Sequence, residues 1–218
     1  INIGIVASLS ELLAVALMRV IKQKYPQVNL KISVGYSGHL QDWLVAGDID
    51  LALNYAVTSS KFIDNQPLVH EKLYLVGPAD AELNPEQALT MQQMAALDFI
   101  LPFAPHKLRT VTEQGFKAEQ QNLKIVAEMN DLNIQKQMVK EGFGYSILPL
   151  VTVQNDLKAK TVTVAPIDQA EFSRDIAIGL PRTRHVSKLM HAIAYEIKQY
   201  AKLAVENGTW RGGEWIGD

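Results

Sequence analysis

The sequence predicts an α/β protein made of two α/β units, and three observations carry that expectation. From Ile1 to Leu53 the chain reads strand, helix, strand, helix, strand, the order that builds a parallel sheet with crossover helices. A less regular version of the same rhythm runs from Met91 to Pro149. Two further extended segments, Glu71–Gly77 (EKLYLVG) and Arg174–Leu180 (RDIAIGL), have no crossover helix of their own and read as paired connectors between the units. At 218 residues, one large domain or two small ones would fit the length.

Each element has a local reason. Ile1–Ala7 alternates with β-branched Ile1, Ile3, Ile5 and Val6, as a strand does. Ser8-Leu9-Ser10-Glu11 reads as a capping box, with Leu12, Leu13, Leu17, Val20 and Ile21 at helical spacing behind it and a stop near Tyr25, before Pro26. Val28–Gly35 is a second strand. Ser37 caps a short helix with Leu40, Trp43 and Leu44 inward, ended by Gly47, and Ile49–Leu53 is the third strand.

In the second half, Met91–Leu97 is expected helical, Asp98–Leu101 extended, Arg109–Gln121 helical and Leu123–Glu128 extended. Asn130–Lys140 forms a helix closed by Gly142, and Tyr145–Leu148 a strand stopped by Pro149. His185–Val205 reads as a long helix with Leu189, Ile193 and Ile197 on one face. The tail Asn207–Asp218, with four glycines, is expected to fray, although Trp210 and Trp215 sit oddly in an idle segment.

Composition removes several functions. The chain is 48% hydrophobic and 20% charged with a net charge of −2, so nothing in it recommends nucleic acid or an anionic membrane as a partner. The absence of cysteine excludes disulfides, thiolate metal sites and a cysteine nucleophile. His39, His70, His106, His185 and His191 show no ligand spacing, so no metal and no cofactor is expected. Gly35-Tyr36-Ser37-Gly38-His39 is a near miss for the G-x-S-x-G nucleophile elbow, with His39 in place of the last glycine; Ser37 reads as a helix cap before it reads as a nucleophile. Gly142-Phe143-Gly144 lacks the third glycine of a dinucleotide fingerprint and follows a helix instead of a strand. No acid/base pair argues for catalysis, and binding is the expectation.

Helix N-termini just beyond strand ends supply the binding chemistry: Ala7-Ser8-Leu9, Ser37-Gly38-His39 and Met129-Asn130-Asp131. In open parallel sheets ligands collect at such places, where unpaired N–H groups and the positive end of the helix dipole suit a small anion. Ser8, Ser37 and Asn130 would hold the charged group; the competing reading for each is a cap and nothing more. Pro102, Phe103 and His106 follow a strand in a proline-stiffened loop, and Phe103, Met129 and Tyr55 would shape an apolar side. Lys107 and Arg109 read as surface charge before they read as anion contacts.

Several of these pieces stand in a telling order. They are Ile3-Gly4-Ile5 leading to a serine-started helix, Tyr25-Pro26-Gln27-Val28-Asn29-Leu30, Gly35-x-Ser37, Leu44–Ala52 (LVAGDIDLA) and Val139–Pro149 (VKEGFGYSILP). Over nearly its whole length the chain resembles the effector-binding domain of LysR-type transcriptional regulators. The resemblance implies a type 2 periplasmic-binding-protein-like fold, two α/β lobes joined by two crossover strands, with a small metabolite in the cleft. Lobe I would comprise residues 1–72 and 181–218, the latter holding the C-terminal helix and tail, and lobe II residues 73–180. It implies ligand contacts at Ser8 and its neighbours, Ser37-Gly38, Pro102-Phe103 and Met129-Asn130. It also implies a cytoplasmic, non-enzymatic sensor, paired as a homodimer or homotetramer through helix Ser8–Tyr25 and helix Arg109–Gln121. DNA would be bound only by an N-terminal winged helix-turn-helix absent from this sequence, consistent with a start at Ile1. A solute-binding protein of a transport system with the same fold is the alternative, and a hydrolase using Ser37 a more distant one.

Overall fold

The computed structural model describes residues 1–56 and 60–218. In chain order the elements begin with β1 (Asn2–Val6), α1 (Ala7–Lys24), β2 (Lys31–Gly35), α2 (Ser37–Ala46) and β3 (Leu51–Tyr55). There follow β4 (Ile63–Pro78), a 3₁₀ turn (Ala79–Ala81), α3 (Met91–Met94), β5 (Asp98–Leu101), α4 (Lys107–Ala118), β6 (Lys124–Glu128) and α5 (Leu132–Lys140). The chain closes with β7 (Ser146–Pro149), α6 (Leu150–Lys158), β8 (Val162–Pro166), β9 (Ser173–Pro181), α7 (Lys188–Glu206) and β10 (Gly213–Trp215). Two compact units result: Ile1–Glu71 with Arg174–Asp218, and Lys72–Ser173. Glu71 is thus the residue at which the chain leaves the first unit, and Arg174 the one at which it returns.

In the first unit, β1 pairs in parallel with β2 and β3, and β9 runs antiparallel to β3 with Leu53 opposite Ile178. Residues 174–180, expected in the second lobe, belong to the first unit because of this pairing. The strand order is β10-β4-β9-β3-β1-β2. All five β3 residues are buried, the mark of a strand covered on both faces. Leu9, Leu13, Leu17 and Ile21 of α1 are fully buried, α7 packs on α1, and the buried residues of α7 include Met190, Ile193, Ala194, Ile197, Ala201 and Ala204. Leu189, expected on that inner face, points outward instead. α2 ends at Gly47, whose φ of 94° closes the helix in the left-handed region that a Cβ disfavours.

The tail departs from expectation. Trp210 is 1% exposed, and β10 extends the sheet antiparallel to β4, with Trp215 opposite Val69. A ladder and a buried indole outweigh the chain entropy of its glycines.

The strands of the second unit pair in two groups. β5 and β6 pair in parallel, Phe99 bridges Tyr145, and residues 73–78 of β4 run antiparallel to β7 and β8. Alternation along these strands builds two cores. Leu75, Phe99 and Ile147 face Met91, Leu108 and Phe116, whereas Val76, Ile100 and Leu148 face Val139, Leu150 and Val153. The glycine of the Gly142-Phe143-Gly144 motif that matters here is Gly144. A Cβ on it would lie 2.6 Å from the Asp98 carbonyl oxygen, where Tyr145 N–H donates to that same oxygen at 2.8 Å. α6 and β8 have no counterpart in the sequence reading.

Candidate effector site

At the end of β1 the chain turns directly into α1. The cap position is held by Val6, with no side-chain capping bond, so the expected Ser8–Glu11 capping box does not form. Ser8 is therefore inside the first turn, and its Oγ accepts a hydrogen bond from Arg174 Nη2 at 3.0 Å. Ala7 is half-buried beside it, and Leu9 sends its side chain into the core, so that only its main chain can serve a ligand.

Arg174 organises this end of the first unit. Its guanidinium donates to Glu71 Oε2 through Nε at 2.6 Å, to the Tyr55 hydroxyl through Nη1, and to Ser8. It also lies 4.6 Å from the Tyr55 ring centroid, within cation–π range. Glu71 is fully buried, Arg174 and Tyr55 are each 8% exposed, and the second Glu71 oxygen accepts from Trp210 Nε1 at 2.9 Å. Burial by itself would lower the Arg174 pKa, but the Glu71 carboxylate, with Tyr55, holds it above the ordinary arginine value. A charged guanidinium, paired with the Glu71 carboxylate, thus stands beside the N-terminus of α1.

The second predicted helix start also differs in detail. Tyr36 takes the cap position of α2 and Ser37 is the first helical residue. Ser37 Oγ accepts from Gln41 Nε2 at 3.5 Å. Its carbonyl oxygen accepts from Asn54 Nδ2 at 3.1 Å, while Asn54 Oδ1 accepts from the Tyr55 N–H at 2.7 Å. Buried Asn54 therefore ties the start of α2 to Tyr55. Gly38 and His39 are exposed, and the His39 ring stacks on Trp43 with centroids 6.0 Å apart.

In the second unit, Pro102 is buried after β5 and Phe103 is exposed. His106 caps α4, its Nδ1 accepting from Leu108 N–H at 3.2 Å. Arg109 is not the solvated charge expected of it. It donates to Glu113 Oε1 at 2.6 Å and to Glu128, and these two carboxylates outweigh burial and keep its pKa raised. Met129 N–H donates to Leu101 O at 3.1 Å, joining the ends of β6 and β5. Asn130 is exposed and does not cap α5; that role belongs to Asp131, which accepts from both Asn133 and Ile134 N–H at 2.9 Å. The reason is position. The helix starts at Leu132, and only the residue immediately before it can reach those amides.

The structure thus brings Ser8 and Tyr55 onto one guanidinium and links Ser37 to Tyr55 through Asn54. Arg174, Glu71 and Trp210 escaped the sequence reading. Their signal was present: one arginine and one glutamate open the two apolar connectors RDIAIGL and EKLYLVG.

A family model described as the LysR substrate binding domain matches residues 1–202. The chain belongs to that family. Among curated relatives of the LysR domain, the HTH-type transcriptional regulator BbuR of Bordetella bronchiseptica is 26% identical over 219 residues, covering 97% of this chain and 65% of the relative. The nitrogen assimilation regulatory protein nac of Klebsiella aerogenes is 24% identical over 177 residues, covering 81% and 57%. The chain therefore spans about 57–65% of the length of these two relatives. BbuR is named as a transcriptional regulator and nac as a regulatory protein, and neither as a transport protein.

Solved structures agree on the fold. The Synechocystis PCC6803 CcmR regulatory domain in complex with 2-PG superposes with a TM-score of 0.83 at 15% identity, covering 93% of this chain and 97% of that one. The effector binding domain of QuiR in complex with shikimate gives 0.78 at 19% identity with the same coverage. The LysR domain is accordingly a type 2 periplasmic-binding-protein-like α/β fold.

Proposed function

We propose that this LysR domain senses a small anionic metabolite and that the whole protein converts its binding into a change in DNA binding and transcription. The observation that carries the anion is Arg174, a buried guanidinium presented to Ser8 and Tyr55 at the N-terminus of α1. Ala7, Leu9, Ser37, Gly38 and His39 complete the candidate contacts in the first unit, and Pro102, Phe103, His106, Met129 and Asn130 are those in the second. The solved neighbours in complex with 2-PG and with shikimate support a small-molecule ligand. The ligand acts through its different affinity for two arrangements of the regulator.

DNA is bound by a helix-turn-helix part of the whole protein, as the regulator relatives support; the domain itself is neither an enzyme nor a cofactor carrier, and it works in the cytoplasm. Among the described residues no helix is long and apolar enough to cross a membrane. We assign self-association to α1, expected as Ser8–Tyr25, and α4, expected as Arg109–Gln121. Exposed Val15 and Met18 on α1, with Val34 on edge strand β2 beside it, support the first of these surfaces.

A thermal-shift screen of carboxylate metabolites and oxyanions tests the reading. A binder at a hundred times its Kd stabilises the native state by about 2.7 kcal/mol. Calorimetry on Ser37→Trp should then show binding abolished in a folded domain. Undiminished affinity in that variant removes Ser37 from the site, and failure of every anion in the screen removes the anionic ligand.

A further inference from the structure

Trp210 lies beyond residue 202, where the family match ends, yet its indole is buried against Glu71 in the first unit. Carboxylate and guanidinium commonly meet side-on, one N–H to each oxygen. Here Trp210 Nε1 occupies Glu71 Oε1 at 2.9 Å, and both Arg174 contacts converge on Oε2, through Nε at 2.6 Å and Nη2 at 2.5 Å. With the indole N–H on Oε1, the guanidinium meets its carboxylate through Oε2 alone and not side-on. It stays turned so that Nη1 meets the Tyr55 hydroxyl and Nη2 also reaches Ser8.

We infer that Trp210 is a positioning residue for the effector site: by holding one oxygen of Glu71 it fixes the orientation in which Arg174 faces Ser8, Tyr55 and an incoming anion. This rests on the proposal that an anion binds there. Trp210 itself touches no ligand. The segment after residue 202 therefore sets anion affinity, and by linkage an anion that draws on Arg174 alters the Trp210–Glu71 bond.

The test uses the full 218-residue chain with sodium sulfate as the probe, at constant ionic strength. Trp210→Phe keeps an aromatic ring in place and removes only the indole N–H donor. Sulfate affinity by calorimetry should fall about tenfold in this variant, the loss of one well-oriented charge-assisted bond. In parallel, the wild-type Trp210 indole ¹⁵N–¹H resonance, identified by its disappearance in Trp210→Phe, should move saturably with sulfate while that of Trp215 stays. Equal affinity in the two proteins with a motionless Trp210 resonance overturns the inference and leaves the anion site standing. No sulfate binding by the wild type, or unchanged binding by Arg174→Met, overturns the underlying proposal instead. Should Trp210→Phe fail to fold, the Trp210 resonance is assigned by elimination with Trp43→Phe and Trp215→Phe, and its movement in the wild type decides alone.

Discussion

The pair Glu71–Arg174 lends itself to a quantitative test of how the first unit is held together. Glu71→Leu leaves a guanidinium, 8% exposed, with only the Tyr55 and Ser8 hydroxyls. Arg174→Met leaves a fully buried carboxylate with a single donor, Trp210 Nε1. Removing one member of a buried ion pair costs about 3–5 kcal/mol, because the other charge stays desolvated and uncompensated. The two losses would add to about 6–10 kcal/mol, a large share of the roughly 5–15 kcal/mol that holds a native domain.

The double variant Glu71→Leu/Arg174→Met strands no charge and fills the same space with apolar atoms, so it should lose no more than either single variant. That corresponds to a coupling energy of about 3 kcal/mol or more. Urea unfolding followed by tryptophan fluorescence is the assay. Trp43, Trp210 and Trp215 all lie in the first unit, so the signal reports that unit and not Lys72–Ser173. Far-UV circular dichroism follows the whole chain beside it. A double variant whose loss equals the sum of the singles within about 0.5 kcal/mol would refute the argument.

Three further outcomes follow from single contacts. Gly144→Ala drives a Cβ to 2.6 Å from the Asp98 carbonyl, so it should lower stability by about 1–3 kcal/mol through separation of Tyr145 from β5, read as a lower midpoint in thermal circular dichroism. Asp131→Ala removes both amide contacts at the start of α5 and should cost about 1 kcal/mol in urea unfolding, whereas Asn130→Ala should cost almost nothing. Asp64 has its pKa lowered, chiefly by its hydrogen bond from Arg182. A depressed carboxylate contributes stability above its unfolded value of about 3.9 and loses it as pH falls through the lower folded value. The pair is well exposed, so solvent screening limits the contribution to about 0.2–1 kcal/mol. The thermal midpoints of wild type and Asp64→Asn should differ at pH 6 and converge near pH 2, and a gap that persists in acid would exclude this origin.

The pattern of elements was legible because it is local. Period-two and period-3.6 spacing, proline stops and the glycine at position 47 placed α1, α2, β5 and α7 to within a few residues, and they carried the family likeness over the same stretch that the family model matches. Caps were less legible. Ser8, Ser37 and Asn130 all look like capping residues, but α1 starts two residues and α2 and α5 one residue away from the register that reading needs, and a capping bond has no reach to spare. The tail was misread because glycine content reports only the entropy of the free chain and carries no information about a β4 edge waiting to pair with Gly213–Trp215.

The same division holds for the site. Residues near one another in sequence, such as Gly35-Tyr36-Ser37 or Ala7-Ser8-Leu9, announced themselves through the strand and helix ends they occupy. The group that electrostatically organises the first unit joins positions 8, 55, 71, 174 and 210, with a span of 166 residues in the single bond from Arg174 to Ser8. By itself the sequence determined the fold class, the helix N-termini and the family. Only the tertiary structure decided that one of those ends, the start of α1 at Ser8, receives a buried guanidinium and that a tail tryptophan holds its carboxylate. The physical reason is that charge pairing depends on proximity in space, which strand order creates and sequence spacing does not record.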